Sequence, residues 1–133
     1  MTERFADSFV FLAMINRSDR KHVAAVEALG KNRDPLVTTA WIITELADGL
    51  CAVGSRAVFV SLEARLRSNP RMTIIAADPV LYESGLDLYR QRPDKAWSLT
   101  DCISFVVMRQ RGITEALTGD HHFEQAGLIA LLK

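Results

Sequence analysis

Cysteine and long apolar runs are both scarce in this sequence. Only Cys51 and Cys102 are cysteines among its 133 residues, and two cysteines in apolar surroundings do not form the disulfide framework of a secreted domain. No apolar run approaches the roughly 20 residues that cross a bilayer. The start, Met-Thr-Glu-Arg-Phe-Ala-Asp, lacks the basic and apolar stretches of a signal peptide. We therefore expect a cytoplasmic protein that does not associate with membranes.

The sequence also lacks an excess of charge of either sign. Sixteen lysines and arginines balance sixteen aspartates and glutamates, so the formal net charge is zero. This balance excludes a surface that attracts nucleic acid through its overall field. Attraction of phosphate groups must instead come from a bound cation or from local clusters of basic residues. Three such clusters are present: Arg65, Arg67 and Arg71; Arg90, Arg92 and Lys95; and Arg109 and Arg111.

Glycine and proline are too few and too scattered to form linkers or low-complexity segments. The length of 133 residues predicts a single domain over residues 1–133. Short β-branched runs alternate with amphipathic stretches. This pattern is typical of an α/β fold, here a three-layer α/β/α sandwich whose central parallel sheet has four to five strands. The predicted strands cover residues 4–7, 36–39, 72–77, 115–118 and 128–131. The predicted helices cover 10–15, 22–30, 41–53, 56–68, 79–92, 102–111 and 121–125.

Four acidic residues interrupt or border apolar stretches, where a charge is costly unless something compensates it. Asp7 and Asp120 come at the ends of predicted strands. Asp101 lies in the first turn of a predicted helix, and Glu45 lies inside another. Because ligands bind outside the carboxyl ends of the strands in an open parallel sheet, these distant residues can meet in one pocket. Carboxylates without cysteine or histidine partners suit hard cations such as Mg²⁺ or Mn²⁺.

Three of these acids also have a purely structural interpretation. Asp101 stands three residues after Ser98, which is the spacing of a capping box. Asp7 and Asp120 can each cap the helix that follows. Glu45 has no capping role, although a glutamate at the edge of an apolar stripe is common. Helix capping and a shared cation site both stay open at this level.

Two neighbouring histidines and one phenylalanine are interpreted as structural. Adjacent side chains point apart on a helix, and no cysteine or third histidine has ligand spacing, so we expect His121 and His122 on the surface. Phe9 lies in an apolar run directly after Ser8. We therefore expect Phe9 to be a core residue and not a site residue.

The ordered set of acidic motifs resembles the PIN-domain ribonucleases, in particular the VapC-type toxins of toxin–antitoxin pairs. Each motif is weak alone, but their order and spacing over nearly the whole chain make the set specific. One departure is Phe9, since many relatives carry Ser, Thr or Asn two residues after the first aspartate. The motifs are Phe5-Ala6-Asp7-Ser8, Thr44-Glu45, Ser98-Leu99-Thr100-Asp101-Cys102 and Thr118-Gly119-Asp120-His121-His122-Phe123.

The resemblance implies an activity, a cofactor and partners. It implies an endoribonuclease that hydrolyses RNA phosphodiester bonds to a 5′-phosphate and a 3′-hydroxyl with Mg²⁺ or Mn²⁺. It also implies a homodimeric toxin that is inhibited by an antitoxin protein from an adjacent gene. The implied catalytic residues and metal ligands are Asp7, Glu45, Asp101 and Asp120, with Ser8 and Thr118 in supporting positions.

The sequence itself adds an argument for a partner. The predicted helices 41–53 and 56–68 carry more large apolar residues than one face of a sheet needs. These side chains can line a groove for an amphipathic helix, or they can pack on the sheet and on each other. The side chains concerned are Trp41, Leu50, Val58, Phe59 and Leu62.

Two other classes of function remain open. A catalytically weak PIN-like module that binds RNA or protein would have no reason to gather four carboxylates, and metal-dependent RNA cleavage distinguishes it from a nuclease. A receiver-like phospho-acceptor domain would need paired acids after the first strand and a lysine after a late strand. Here Ser8 follows Asp7, and Lys133 is the terminal residue.

Overall fold

The computed structural model describes residues 2–133, and its strands and helices alternate as the sequence predicts. Within these residues, every helix is too short or too polar to span a bilayer. The strands are β1 (Arg4–Ala6), β2 (Leu36–Thr39), β3 (Met72–Ile75), β4 (Glu115–Leu117) and β5 (Ile129–Ala130). The helices are α1 (Ser8–Ile15), α2 (His22–Lys31), α3 (Ala40–Gly49), α4 (Arg56–Ser68), α5 (Pro79–Gln91), α6 (Leu99–Arg111) and α7 (His121–Gln125).

The five strands form one sheet in the order β3-β2-β1-β4-β5, and every neighbouring pair is parallel. β1 lies in the centre, where Phe5 is opposite Val37 of β2 on one side and Ala116 of β4 on the other. The chain runs outward from β1 through β2 to β3, and then returns to β4 on the far side of β1. The direction of winding thus reverses between β1 and β4, which predicts a crevice at the carboxyl ends of these two strands.

Both faces of the sheet are buried beneath helices. Phe5 of β1 packs in one core with residues of α5 and α6, whereas its neighbour Ala6 packs in a second core with residues of α1, α2 and α4. Val37 and Leu36 of β2 are divided between the two cores in the same way. Successive side chains of a strand point to opposite faces, so a sheet with two cores has a helical layer on each side. This arrangement confirms the predicted three-layer α/β/α sandwich.

α5 packs closely against α6 where Gly85 faces Ile103. Gly85 of α5 lies so near Ile103 of α6 that an added Cβ would be 2.3 Å from Ile103 Cγ1 and 3.1 Å from its Cα. A side chain at position 85 would therefore push the two helices apart.

Several predicted helix ends differ from those in the structure by one to four residues. α3 ends at Gly49 with Leu50 as its C-cap residue, rather than at residue 53, because glycine is a poor residue for a helix interior. The N-cap residue of α2 is Lys21, whose side chain makes no capping hydrogen bond. Asp19 accepts a turn hydrogen bond from the backbone nitrogen of Lys21 at 2.8 Å.

The apolar faces of α3 and α4 mostly serve the two cores. Leu50 and Leu62 are buried, and Trp41 and Phe59 are partly buried against the cores. Val58, in contrast, is 42% exposed. Most of the side chains predicted to line a partner groove are therefore packed in or against the two cores.

Candidate active site

Four carboxylates line one cavity of about 500 Å³, which we call the acidic cavity. Asp7 follows β1 at the N-cap position of α1, and Asp120 follows β4 at the N-cap position of α7. Asp101 lies in the first turn of α6, and Glu45 lies in α3. The cavity is at the point where the winding of the sheet reverses. The topology therefore brings together all four acids that the sequence had singled out.

Asp7 is the most deeply buried of these acids, and Thr118 is its main partner. Thr118 Oγ1 donates a hydrogen bond of 2.8 Å to Asp7 Oδ2. Burial raises the pKa of Asp7 from 3.8 to about 7; the Thr118 hydrogen bond opposes this rise, while the charges of Glu45 and Asp101 add to it. The α1 cap interpretation does not hold for this side chain, which makes no capping hydrogen bond. Asp7 thus faces the cavity as an acid that is costly to ionise.

Glu45 is held by the residue that follows Asp7. Ser8 Oγ donates a hydrogen bond to Glu45 Oε1 and so links the start of α1 to α3. Burial raises the pKa of Glu45, the Ser8 hydrogen bond lowers it, and the nearby Asp101 and Asp120 raise it again. The hydroxyl of Ser8 therefore supports Glu45, whereas Thr118 supports Asp7.

Asp101 and Asp120 each cap a helix and also line the cavity. Asp101 Oδ2 accepts a hydrogen bond from the Ser98 backbone nitrogen at 3.1 Å, and Ser98 Oγ accepts one from the Asp101 nitrogen at 3.0 Å, which completes the predicted capping box. Asp120 Oδ1 accepts a hydrogen bond of 2.9 Å from the backbone nitrogen of His122. These caps restrict the rotation of both carboxylates at the edge of the cavity. Burial raises the pKa of Asp101, and the charge of Asp120 adds to this rise.

The expectation that both histidines lie on the surface is wrong for His122. Its side chain is 21% exposed and lines the acidic cavity, whereas the side chain of His121 is 70% exposed. His122 Nδ1 lies 3.2 Å from Asp120 Oδ1 and 3.4 Å from Asp101 Oδ2. The two rings do not point apart as predicted, since their centroids are 4.3 Å apart, but only His122 lines the cavity. The spacing of His122 two residues after a capping aspartate is the signal that could have found it.

Phe9 is only partly buried and lines the acidic cavity, so the expectation that it is no part of the site is wrong. Its ring packs over Gly119, which is the residue between Thr118 and Asp120 in the sequence. An added Cβ at Gly119 would be 2.6 Å from Phe9 Cζ. Phe9 therefore forms an apolar wall that requires glycine in the loop after β4.

The sequence matches a known protein family over most of its length. Residues 4–128 match the PIN domain. Among curated proteins, the 23S rRNA-specific endonuclease VapC20 of Mycobacterium tuberculosis is 30% identical over 129 residues. The aligned segment is 94% of this chain and 95% of that protein, in strain CDC 1551 / Oshkosh and in strain ATCC 25618 / H37Rv alike.

Among solved structures, the crystal structure of Mycobacterium tuberculosis VapC20, described as a sarcin-ricin loop cleaving toxin, has the same fold. The TM-score is 0.86 at 23% sequence identity, and the superposition covers 94% of this chain and 95% of that chain. The family match spans nearly all of the sequence and includes every strand except β5. The chain therefore belongs to the PIN-domain family, as its ordered acidic motifs predicted.

Proposed function

We propose that this protein is a metal-dependent endoribonuclease that hydrolyses RNA phosphodiester bonds to a 5′-phosphate and a 3′-hydroxyl, and that it is the toxin of a toxin–antitoxin pair. The observation that carries the proposal is the convergence of four carboxylates on one cavity in a chain of the PIN-domain family. The curated relatives, which are named as 23S rRNA-specific endonucleases, support RNA as the substrate class.

The donor chemistry of the cavity fits a hard divalent cation. Burial and mutual repulsion raise the pKa of Asp7, Glu45 and Asp101, so ionising the whole cluster calls for a compensating positive charge. Among the described residues, none that lines the cavity is a lysine or an arginine. Carboxylate oxygens suit Mg²⁺ and Mn²⁺. The residues that would hold such an ion are Asp7, Glu45, Asp101 and Asp120.

A bound divalent cation would supply a water molecule of lowered pKa and would neutralise charge at the phosphate. The side chains around the acids keep them in place. Thr118 holds Asp7, Ser8 holds Glu45, and the caps of α6 and α7 hold Asp101 and Asp120. Phe9, Leu12 and Ala96 form apolar parts of the wall.

A hollow of about 350 Å³, which we call the basic hollow, offers a path for the RNA backbone. The segment 95–102 separates it from the acidic cavity: Ala96, Ser98 and Asp101 line the cavity, while Lys95, Trp97 and Cys102 line the hollow. Arg90 and Arg92 also line the hollow, and the Arg92 guanidinium lies 5.2 Å from the centre of the Trp97 ring. The cationic groups suit the phosphates of a single strand.

Cleavage of RNA by the purified protein tests this proposal, with 23S ribosomal RNA as the first substrate. We expect cleavage with Mg²⁺ or Mn²⁺ that stops when EDTA is added, and mass spectrometry of the fragments should find 5′-phosphate and 3′-hydroxyl ends. Asp101→Asn should reduce the rate by orders of magnitude. Asp78→Asn is the matched control, because Asp78 caps α5 through a 2.8 Å hydrogen bond from Val80 and does not line the cavity.

Equal cleavage by the Asp101→Asn and Asp78→Asn variants would reject the assigned site. RNA binding without any metal-dependent cleavage would instead favour the alternative, a catalytically weak PIN-like binding module. The two outcomes are distinguished by measuring binding and cleavage on the same RNA.

The proposed toxin would be a homodimer controlled by an antitoxin protein that inserts an amphipathic helix. The surface of α4 supports this, because the exposed Val60 lines a hollow of about 370 Å³ beside the exposed Cys51 and the partly buried Phe59. Exposed apolar residues next to a hollow are typical of a docking surface. Co-purification with the product of the adjacent gene is the test. A well-tolerated monomer that cleaves RNA and binds no such product would contradict the toxin function but not the nuclease function.

A further inference from the structure

Among residues 2–133, His122 is the one titratable residue lining the acidic cavity to which the proposed function gives no role. Its Nδ1 atom is buried, yet it has no hydrogen-bond partner among residues 2–133. Two carboxylate oxygens are nevertheless close, since Asp120 Oδ1 is 3.2 Å away and Asp101 Oδ2 is 3.4 Å away. Buried polar atoms without a partner are rare and costly. The position of this nitrogen therefore calls for an explanation.

The direction in which Nδ1 can bond explains its position. Neither short contact has the geometry of a hydrogen bond, so an N–H group or a lone pair on Nδ1 is directed at neither oxygen. A cation approached by all three atoms at once would satisfy them together. Adjacent ligand atoms of an octahedral ion with bonds near 2.1 Å are separated by roughly 3 Å, which is close to the two observed separations.

We propose that His122 Nδ1 is a nitrogen ligand of the divalent-metal centre, beside the oxygens of Asp101 and Asp120. This inference rests on the proposed metal-dependent function and adds to it a preference between ions. Imidazole nitrogen is a good ligand for transition metals, whereas Mg²⁺ strongly favours oxygen. A ligand set with one histidine therefore shifts the preference from Mg²⁺ toward Mn²⁺. His122 must then be neutral with its proton on Nε2, because only an unprotonated nitrogen binds a metal.

The chain offers a matched control in the adjacent histidine. His121 is on the same short helix and is close to the same acid, with Nδ1 3.7 Å from Asp120 Oδ1, but its side chain is 70% exposed and does not line the cavity. The hydrogen bond from residue 122 to Asp120 comes from the backbone nitrogen. Substituting the His122 side chain therefore leaves this cap of α7 in place.

Metal binding by the metal-free protein tests the inference without any cleavage assay. Calorimetric titrations with Mn²⁺ and with Mg²⁺ would compare the wild type with His122→Ala, His122→Asn and His121→Ala. We expect His122→Ala to weaken Mn²⁺ binding by on the order of tenfold or more, with a smaller change for Mg²⁺. His122→Asn, which offers an oxygen in place of Nδ1, should favour Mg²⁺ relative to the wild type. His121→Ala should bind both ions as the wild type does.

Pulsed electron paramagnetic resonance of the Mn²⁺-loaded protein gives a direct reading of the ligand. We expect a ¹⁴N coupling from a bound imidazole in the wild type and in His121→Ala, and its loss in both His122 variants. Bound Mn²⁺ without this coupling in the wild type, or coupling that persists in His122→Ala, would overturn the role of His122 and leave the proposed nuclease function intact. A wild-type protein that binds neither ion would overturn both.

Discussion

Thr118 Oγ1 donates a hydrogen bond of 2.8 Å to Oδ2 of Asp7, a residue 111 positions earlier in the chain. The same hydroxyl accepts a hydrogen bond of 3.1 Å from the backbone nitrogen of Asp120. Because Thr118 is fully buried, its hydroxyl bonds to these two protein partners and not to solvent. It connects the end of β1 with the end of β4 at the centre of the proposed site.

Replacing this hydroxyl by a methyl group should harm both stability and metal binding. Thr118→Val keeps the shape of the side chain but leaves Asp7 without its donor, and we expect a loss of about 1–3 kcal/mol in the free energy of unfolding at neutral pH. Metal affinity should fall by about 10–100-fold, as for other residues that orient a ligand. Thr118→Ser, which retains the hydroxyl, is the control. Chemical denaturation and metal titration of the two variants measure the difference, and equal behaviour would exclude this role for the hydroxyl.

The raised pKa of Asp7 predicts how the stability of the metal-free protein depends on pH. Since the folded-state pKa of about 7 lies above the ordinary value of 3.8, the stability that Asp7 contributes is present below about pH 4 and is lost as the pH rises through about 7. Asp7→Asn removes this dependence. We expect the variant to be about 2–4 kcal/mol more stable than the wild type at pH 8 and close to it at pH 4.

Urea unfolding in EDTA across this pH range checks the expectation for Asp7. The difference in the free energy of unfolding between Asp7→Asn and the wild type should grow as the pH increases. Addition of Mn²⁺ should stabilise the wild type more than the variant, because the charged acid then has a compensating cation. A difference that stays constant from pH 4 to pH 8 would show that Asp7 ionises normally.

Because Phe9 contacts Gly119, we expect that the effects of substituting these two residues on stability are not additive. An alanine at position 119 would place its Cβ 2.6 Å from Phe9 Cζ and 3.1 Å from the backbone oxygen of Leu132. We expect Gly119→Ala to destabilise the protein by about 1–3 kcal/mol and to reduce cleavage by shifting Asp120. Gly30→Ala is the control, since nothing lies within 4 Å of an added Cβ there.

Removing the Phe9 ring should relieve the closest of these contacts. Phe9→Ala alone should cost less than the roughly 3–5 kcal/mol typical of a fully buried phenylalanine, because the ring is partly exposed. The Phe9→Ala and Gly119→Ala double variant should then be more stable than the sum of the two single effects predicts. A double-variant cycle by thermal denaturation measures this coupling, and strict additivity would argue against the contact.

Lys95 should contribute to RNA binding through charge. Among the basic residues of the basic hollow, Arg90 pairs with Asp87 and Arg92 pairs with Asp94. We therefore expect Lys95→Ala to raise KM several-fold with little effect on kcat. The slope of the logarithm of the RNA-binding constant against the logarithm of the salt concentration should fall by about one, which corresponds to the loss of one phosphate contact. Lys31→Ala, on α2 and with its side chain 81% exposed, is the control. Identical salt dependence for the two variants would place the RNA elsewhere.

The sequence by itself determined the class of fold and the identity of the acidic residues. Alternating β-branched runs and amphipathic stretches depend on local physical chemistry, so the strands and helices are found where they were predicted, apart from their ends. A charge beside an apolar run is conspicuous in the sequence because burying it is costly. Asp7, Asp101 and Asp120 could be assigned to one edge of the sheet on this basis, since the carboxyl ends of parallel strands lie on one side.

Only the tertiary structure decided which side chains meet around those acids. The partners Ser8 and Glu45, and Thr118 and Asp7, come from elements far apart in sequence, and no local pattern encodes which hydroxyl contacts which carboxylate. His122 turns into the cavity because Asp120 caps α7 beside α6, and Phe9 lines it because Gly119 allows the ring to approach. Orientations of this kind depend on the packing of one element against another, whereas sequence periodicity records only which face of each element is apolar.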